Sequence, residues 1–237
     1  MNVAIIVAGG SGTRFGGEIP KQFVEICGKP LVAHTLDAFE NCSSIDEIVL
    51  VLPAVELENF RKKNNSIKLK TIVAGGKTRA ESVFNGLQAV SGKAEIVAVH
   101  DGARPLVSAE EISRTIEMAK ETGAACLVAP VSDTIKKVSG GKIIETVDRE
   151  NLRRALTPQA FRLEILQKAF DAADLSEAAT DECFLVEKAG FEIATVEGSA
   201  KNIKITTRED LIWAEVFLRE KSDNGCQMLE SGFFSKI

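Results

Sequence analysis

The sequence predicts a doubly wound α/β domain with a mostly parallel sheet, and two observations carry that expectation. Short runs rich in Val and Ile alternate along the chain with amphipathic stretches, and three of those stretches open on a hydroxyl followed three residues later by a carboxylate. Near-continuous apolar runs suit strands that helices cover on both faces. Strand and helix in turn require right-handed crossovers, which places ligands outside the carboxyl ends of the strands. With 237 residues, 45% of them hydrophobic, the chain can bury one sizeable core.

The first run, residues 3–7, has no basic flank before it and runs straight into glycines. It therefore reads as a buried strand and not as a signal peptide or membrane span, and a cytoplasmic location is expected. Further buried strands are expected at 47–52, 71–73, 96–100 and 126–129. Capping boxes are expected at Thr78 with Glu81, Ser108 with Glu111, and Thr206 with Glu209. Behind the first two, Val83, Leu87 and Val90, then Ile112, Ile116 and Ala119, recur at helical spacing.

The formal net charge of −5 argues against a nucleic-acid groove, so any anionic ligand must meet basic residues gathered locally. Cys27, Cys42, Cys126, Cys183 and Cys226 are odd in number and lack C-x-x-C spacing, which fits packing thiols better than a disulfide frame or zinc site.

After the first strand, residues 8–17 read A-G-G-S-G-T-R-F-G-G, with Pro20, Lys21 and Gln22 following. Glycines there let the backbone approach a ligand and turn N–H groups toward phosphate oxygens. The loop lacks the G-K-[ST] of a Walker motif, and Phe15 stands where G-x-G-x-x-G needs its third glycine. It offers two cations instead, Arg14 and Lys21; a wrapped triphosphate calls for such charge, although a solvated Arg and Lys would fit the loop equally. After the run at 96–100 comes H-D-G-A-R-P, where Asp101 is a natural Mg²⁺ ligand and Arg104 a fork for a second phosphate. His100 is better explained by a backbone partner than as a base.

Residues 134–147 break the pattern. Two β-prone runs flank Gly140 and Gly141, which suits a tight hairpin, within an arm spanning about 132–150. Ile135, Val138, Ile143 and Ile144 would lie uncovered on an isolated ribbon, so the arm is expected to pack against a second subunit; folding back on its own domain is the alternative. One domain over 1–220 and a tail over 221–237 complete the expected organisation.

In order and spacing, G-G-S-G-T-R with P-K-Q, V-H-D-G-A-R-P, D-T-I-K-K-V, V-D-R-E-N-L, L-T-P-Q-A-F, T-D-E and N-I-K-I-T resemble the 2-C-methyl-D-erythritol 4-phosphate cytidylyltransferase family, from residue 1 to about 217. The resemblance implies a Rossmann-like, nucleotidyltransferase-type sheet and transfer of CMP from CTP to the erythritol phosphate, in non-mevalonate isoprenoid precursor synthesis. It further implies Mg²⁺, small-molecule substrates, no nucleic acid or membrane partner, and a homodimer through the arm. By the same resemblance Arg14 and Lys21 stabilise the transition state at the α-phosphate. Ala8, Gly9, Gly10 and Gly12, with Gly76 and Ser82, cradle the cytidine and phosphates. Asp101 is the metal-associated aspartate, and Arg104, Thr134, Thr157, Thr180 and Lys204 match acceptor-binding positions, with Lys204 also counted among the catalytic cations. Arg149, counted like Lys204 among the catalytic cations that hold the incoming phosphate, resembles an arginine that the arm carries into the neighbouring site. Lys201 departs from the acidic residue expected before N-I-K, leaving charge balance there open.

The implied chemistry needs no general base. A phosphate monoester has its second pKa near roughly 6 and is already nucleophilic at neutral pH. The difficulty is repulsion between two polyanions, so positioning and charge cancellation should carry the rate. Two rivals remain at this point: a pentitol phosphate cytidylyltransferase such as one using ribitol 5-phosphate, and a non-catalytic or NAD-type Rossmann module. The latter wants an acid closing the second strand, where Val51, Leu52 and Pro53 stand.

Overall fold

The computed structural model describes residues 1–10, 15, 20–63, 65–174 and 180–223. The first strand, β1 (Asn2–Val7), leads past the glycine loop to a small ribbon of β2 (Glu25–Ile26) and β3 (Lys29–Pro30). Then come α1 (Leu31–Glu40), β4 (Glu47–Leu52), α2 (Leu57–Lys63), β5 (Leu69–Ala74), α3 (Arg79–Gln88), β6 (Ile96–Asp101), α4 (Ala109–Thr122) and β7 (Ala124–Pro130). The chain leaves the sheet as β8 (Ile135–Ser139) and β9 (Lys142–Val147), and returns as β10 (Arg153–Arg162). It ends in α5 (Leu163–Asp171), α6 (Glu182–Lys188), β11 (Ala194–Glu197) and α7 (Arg208–Asp223), which runs past the domain boundary expected at 220.

Among the described residues the main sheet has seven strands in the order β11-β7-β10-β6-β1-β4-β5. All neighbours are parallel except those of β10, which is antiparallel to both β7 and β6. All five strands expected from the apolar runs form. The sequence reading overlooked β10 and β11. Pro158 argues against a central strand because it cannot donate to a ladder. A shift of register between Ala155 and Gln159 absorbs it, so the strand pairs with β7 on each side of the proline.

Side chains alternate across the pleat to build two cores. On one face Ala4 and Ile6 of β1 meet Val32, Leu36 and Phe39 of α1 and Ile112, Ile116 and Ala119 of α4. On the other, Val3 and Ile5 meet Val83 and Leu87 of α3, Leu166 and Phe170 of α5, and Leu185 and Val186 of α6. A third cluster seats Ala214 of α7 against Leu31, Ala103, Leu106 and Ile205. This cluster anchors the segment before α7 over the end of β6.

The caps differ in detail. Ser108 and Glu111 form the full reciprocal box at 3.1 and 2.8 Å. Thr78 accepts from Glu81 N at 3.0 Å, but Glu81 reaches back to Lys77 N at 2.7 Å and not to the cap residue. The pair expected at Thr206 and Glu209 is corrected by one residue. Thr207 N and Thr206 N donate to Asp210 Oδ2 at 2.8 and 2.7 Å, because α7 begins at Arg208 and Asp210 is its third residue.

The hairpin forms as expected. Ser139 pairs with Lys142 across a two-residue turn in which Gly140 and Gly141 take φ of 55° and 74°, the left-handed region that glycine enters without steric cost. Val138, Ile143 and Ile144 are 58%, 65% and 57% exposed, so the chain's own described residues leave them uncovered. No helix among the described residues is long and apolar enough to cross a membrane.

Candidate active site

From β1 the chain steps outward to β4 and β5, then crosses back to β6 on the other side of β1. Such a switch point opens a crevice at the carboxyl ends of the strands. A cavity of about 430 Å³ lies there, lined from β1 by Ala8, Gly9 and Gly10, from the β5–α3 turn by Gly76, Arg79 and Ser82, and from β6 by Asp101. Lys21, Gln22 and Lys204 complete its polar wall. The two glycine turns touch: a Cβ on Gly9 would stand 3.1 Å from Gly75 Cα, so a side chain there would push the loops apart. Ser82 Oγ accepts from Gly76 N at 3.0 Å and donates to Thr78 O at 2.8 Å, fixing the second turn.

Asp101 is the electrostatic centre. Its Oδ1 lies 3.1 Å from Arg79 Nε, and its Oδ2 lies 2.9 Å from Lys204 Nζ and 3.4 Å from Arg104 Nε. Burial would raise the carboxyl's pKa, but Arg79, Lys204 and Arg104 together hold it far below the usual carboxylate range. Arg79 Nη1 also meets Glu182 Oε1 at 2.5 Å. Burial opposes the charge on Arg79, yet Glu182 and Asp101 push its pKa above the ordinary value. Burial raises Glu182, against the pull of Arg79.

A strap of backbone holds these cations in register. Arg104 Nη1 donates to Asn202 O at 2.8 Å, Ile205 N donates to Ala103 O at 2.9 Å, and Lys21 Nζ donates to Ile205 O at 2.6 Å. Buried Asn202 in turn donates to Thr157 O at 3.0 Å. Residues remote in sequence thus share one scaffold.

Eight of the expected site residues line the cavity: Ala8, Gly9, Gly10, Lys21, Gly76, Ser82, Asp101 and Lys204. Arg104 joins them through Asp101. Thr157 is 3% exposed, and its hydroxyl accepts from Asp101 N at 3.2 Å and bonds His100 Nδ1 at 3.0 Å, bracing the strand end that carries Asp101. Thr134, Arg149 and Thr180 are exposed and stand apart from the cavity lining, Arg149 donating to Ser132 O. Gly12 and Arg14 lie outside the described residues, as does the tail from 224 onward.

His100 is fully buried between Thr157 and Arg104 O, which its Nε2 meets at 3.1 Å. Burial pulls its pKa down to about 4, so it is neutral at physiological pH and faces no solvent. Sequence reasoning missed Arg79 and Glu182. Arg79 follows the Thr78 cap directly and could have been suspected as a cation at the start of a helix beside a glycine turn; Glu182 gave no signal, since its role depends on α6 folding back beside α3.

Metal binding can be tested against the donors present. Among the described residues no group of three His, Cys, Asp or Glu side chains could hold an ion, and Asp101 is the one carboxylate among the cavity-lining residues. Those donors do not make a resident site. They fit an ion brought in on substrate phosphates, because Mg²⁺ commonly takes one or two carboxylates and fills its shell with phosphate oxygens and water.

Comparisons with known proteins agree on one family. The family model for IspD, 2-C-methyl-D-erythritol 4-phosphate cytidylyltransferase, matches residues 2–220. A protein of that name from Desulforamulus reducens is 44% identical over 226 residues, covering 93% of this chain and 97% of the relative. The crystal structure of the enzyme of that name from Thermus thermophilus superposes with a TM-score of 0.76 at 33% identity, covering 91% of this chain and 98% of that one. The 4-diphosphocytidyl-2C-methyl-D-erythritol synthase of Anaerococcus prevotii gives a TM-score of 0.79 at 29% identity, covering 92% and 96%.

Proposed function

Since the chain belongs to the 2-C-methyl-D-erythritol 4-phosphate cytidylyltransferase family, we propose that its cavity transfers CMP from CTP to 2-C-methyl-D-erythritol 4-phosphate and releases pyrophosphate, a step of non-mevalonate isoprenoid synthesis. The observation that supports this most directly is the gathering of Arg79, Arg104 and Lys204 on buried Asp101, with Lys21 on the same wall, in a protein whose net charge is −5. A local positive field in an acidic molecule suits a reaction in which two phosphate groups must approach each other.

The glycine turns at Ala8–Gly10 and Gly76, with Ser82, receive the donor through backbone N–H groups. Lys21, with Arg14, meets the charge that develops on the α-phosphate; Lys204 and Arg104 hold the acceptor phosphate. The dianionic acceptor attacks without a base, in keeping with a His100 that is neutral and walled in. Asp101 would hold Mg²⁺ carried by the triphosphate, whose added chemistry is to neutralise donor charge. Thr134 and Arg149, on the arm, complete the acceptor site only if a partner's arm reaches the cavity, which is our reading of the uncovered Val138, Ile143 and Ile144; Thr180, just before α6, serves the acceptor from its own chain. The protein then works as a cytoplasmic homodimer.

Pyrophosphate release measured with each of the four nucleoside triphosphates, and with methylerythritol phosphate or ribitol 5-phosphate as acceptor, tests the assignment. Turnover is expected with CTP and methylerythritol phosphate. Preference for the pentitol phosphate, or for another base, would reject it.

A further inference from the structure

Glu182 opens α6 and is 1% exposed. Its Oε1 stands 2.5 Å from Arg79 Nη1, while Oε2 is buried with no hydrogen-bond partner among the described residues. A buried carboxylate with one oxygen unsatisfied lowers stability, and α6 has no need of it. Asp181 already caps that helix, accepting from Phe184 N at 3.0 Å, and Gln159 anchors it by donating to Asp181 at 2.9 Å and accepting from Cys183 N at 3.0 Å.

What Glu182 adds is a second hold on Arg79. Asp101 is shared among three cations, so its grip on Arg79 competes with Lys204 and Arg104. Arg79 instead carries Nε to Asp101 and Nη1 to Glu182, two carboxylates that fix the plane of the guanidinium. It does so as the first residue of α3, on the cavity wall beside Gly76 and Thr78, where the helix N-terminus also favours negative charge.

On the reading of this cavity as the donor site, we propose that Glu182 is a positioning residue for the triphosphate: acting through Arg79, it holds the guanidinium against the donor phosphates. Without it Arg79 keeps only its contact to Asp101, the plane of the guanidinium is no longer fixed, and it no longer presents a set fork to the ligand.

The test is a double-mutant cycle in the full chain with CTP and methylerythritol phosphate, with thermal melts to verify folding. Glu182→Gln should raise KM for CTP by about tenfold, the effect of misplacing one charge-assisted hydrogen bond, and leave KM for the acceptor within about twofold. In an Arg79→Ala background the same substitution should change KM for CTP by less than about twofold, since the residue it acts through is gone. Should Glu182→Gln not fold, Glu182→Asp, which keeps the charge and loses reach, runs the same cycle. An unchanged KM for CTP in the folded variant, or an equal loss with and without Arg79, overturns the proposal. Wild-type protein that releases no pyrophosphate from CTP would overturn the functional reading instead, so the two failures are distinct.

Discussion

Lys21 and Asp101 are the side chains on which the electrostatics turn. Lys21 Nζ is held at 2.6 Å by Ile205 O on the strap that also carries Lys204, so the ammonium is placed before any ligand arrives. Lys21→Ala should lower kcat by on the order of 10² to 10³, as the loss of one preorganised donor does, with a smaller effect on KM for CTP. Steady-state kinetics at saturating CTP measure it, and turnover near wild type would reduce Lys21 to a surface lysine. Asp101→Asn removes the anion that Arg79, Arg104 and Lys204 face at 3.1, 3.4 and 2.9 Å. Breaking a buried charge cluster of this kind costs about 3–5 kcal/mol, to be read as a lower urea midpoint. A midpoint unchanged from wild type would mean that the cations relax freely into solvent. Asp101 and Lys21 were legible as chemistry because glycine-rich turns at strand ends flag ligand approach. Glu182 was not, because nothing local to T-D-E indicates an arginine about a hundred positions earlier.

Elements decide which surfaces the site can use. Glu40 closes α1 and accepts from Ser66, Ile67 N and Lys68 N, tying the approach to β5 to the end of the helix. Burial alone would raise its pKa, but those hydrogen bonds and the charge of Lys68 lower it. A carboxylate whose pKa is depressed by folding contributes stability above its unfolded pKa of about 4.3 and loses that contribution as pH falls through the folded value. Glu40→Gln should therefore melt below wild type at neutral pH, and the gap should close in acid; a gap that persists at low pH would assign the loss to packing. The arm makes a different prediction. Because β8 and β9 form a sheet separate from the main one, Val138→Lys with Ile143→Lys should leave the melting transition in place while shifting the mass by light scattering from dimer to monomer and lowering turnover. A wild-type protein that is monomeric at assay concentration would end the arm's proposed role. Turn chemistry and the flanking β-prone runs made this hairpin visible in the sequence, whereas Pro158 hid β10: a proline usually marks a strand edge, and only the register shift against β7 makes room for it in the interior.

The whole molecule is acidic, with a formal charge of −5, yet half-buried cations gather at its cavity, where the proposed reaction has them draw polyanions. Attraction of this local kind is screened by salt, over about 30 Å at 0.01 M and about 10 Å at 0.1 M. KM for CTP should accordingly rise with sodium chloride across that range while kcat changes less; a flat KM would place recognition in backbone and base contacts instead. Periodicity and turn residues by themselves determined the doubly wound class, five strands of the main sheet, the glycine turns and the hairpin, since each is set by interactions within a few residues along the chain. Only the folded chain decided that Arg79 and Lys204 share Asp101, that Glu182 stands behind them, and that Thr157 faces inward. Those pairings join positions far apart in sequence, and a charge carries no mark of the distant partner that will hold it until packing brings the two together.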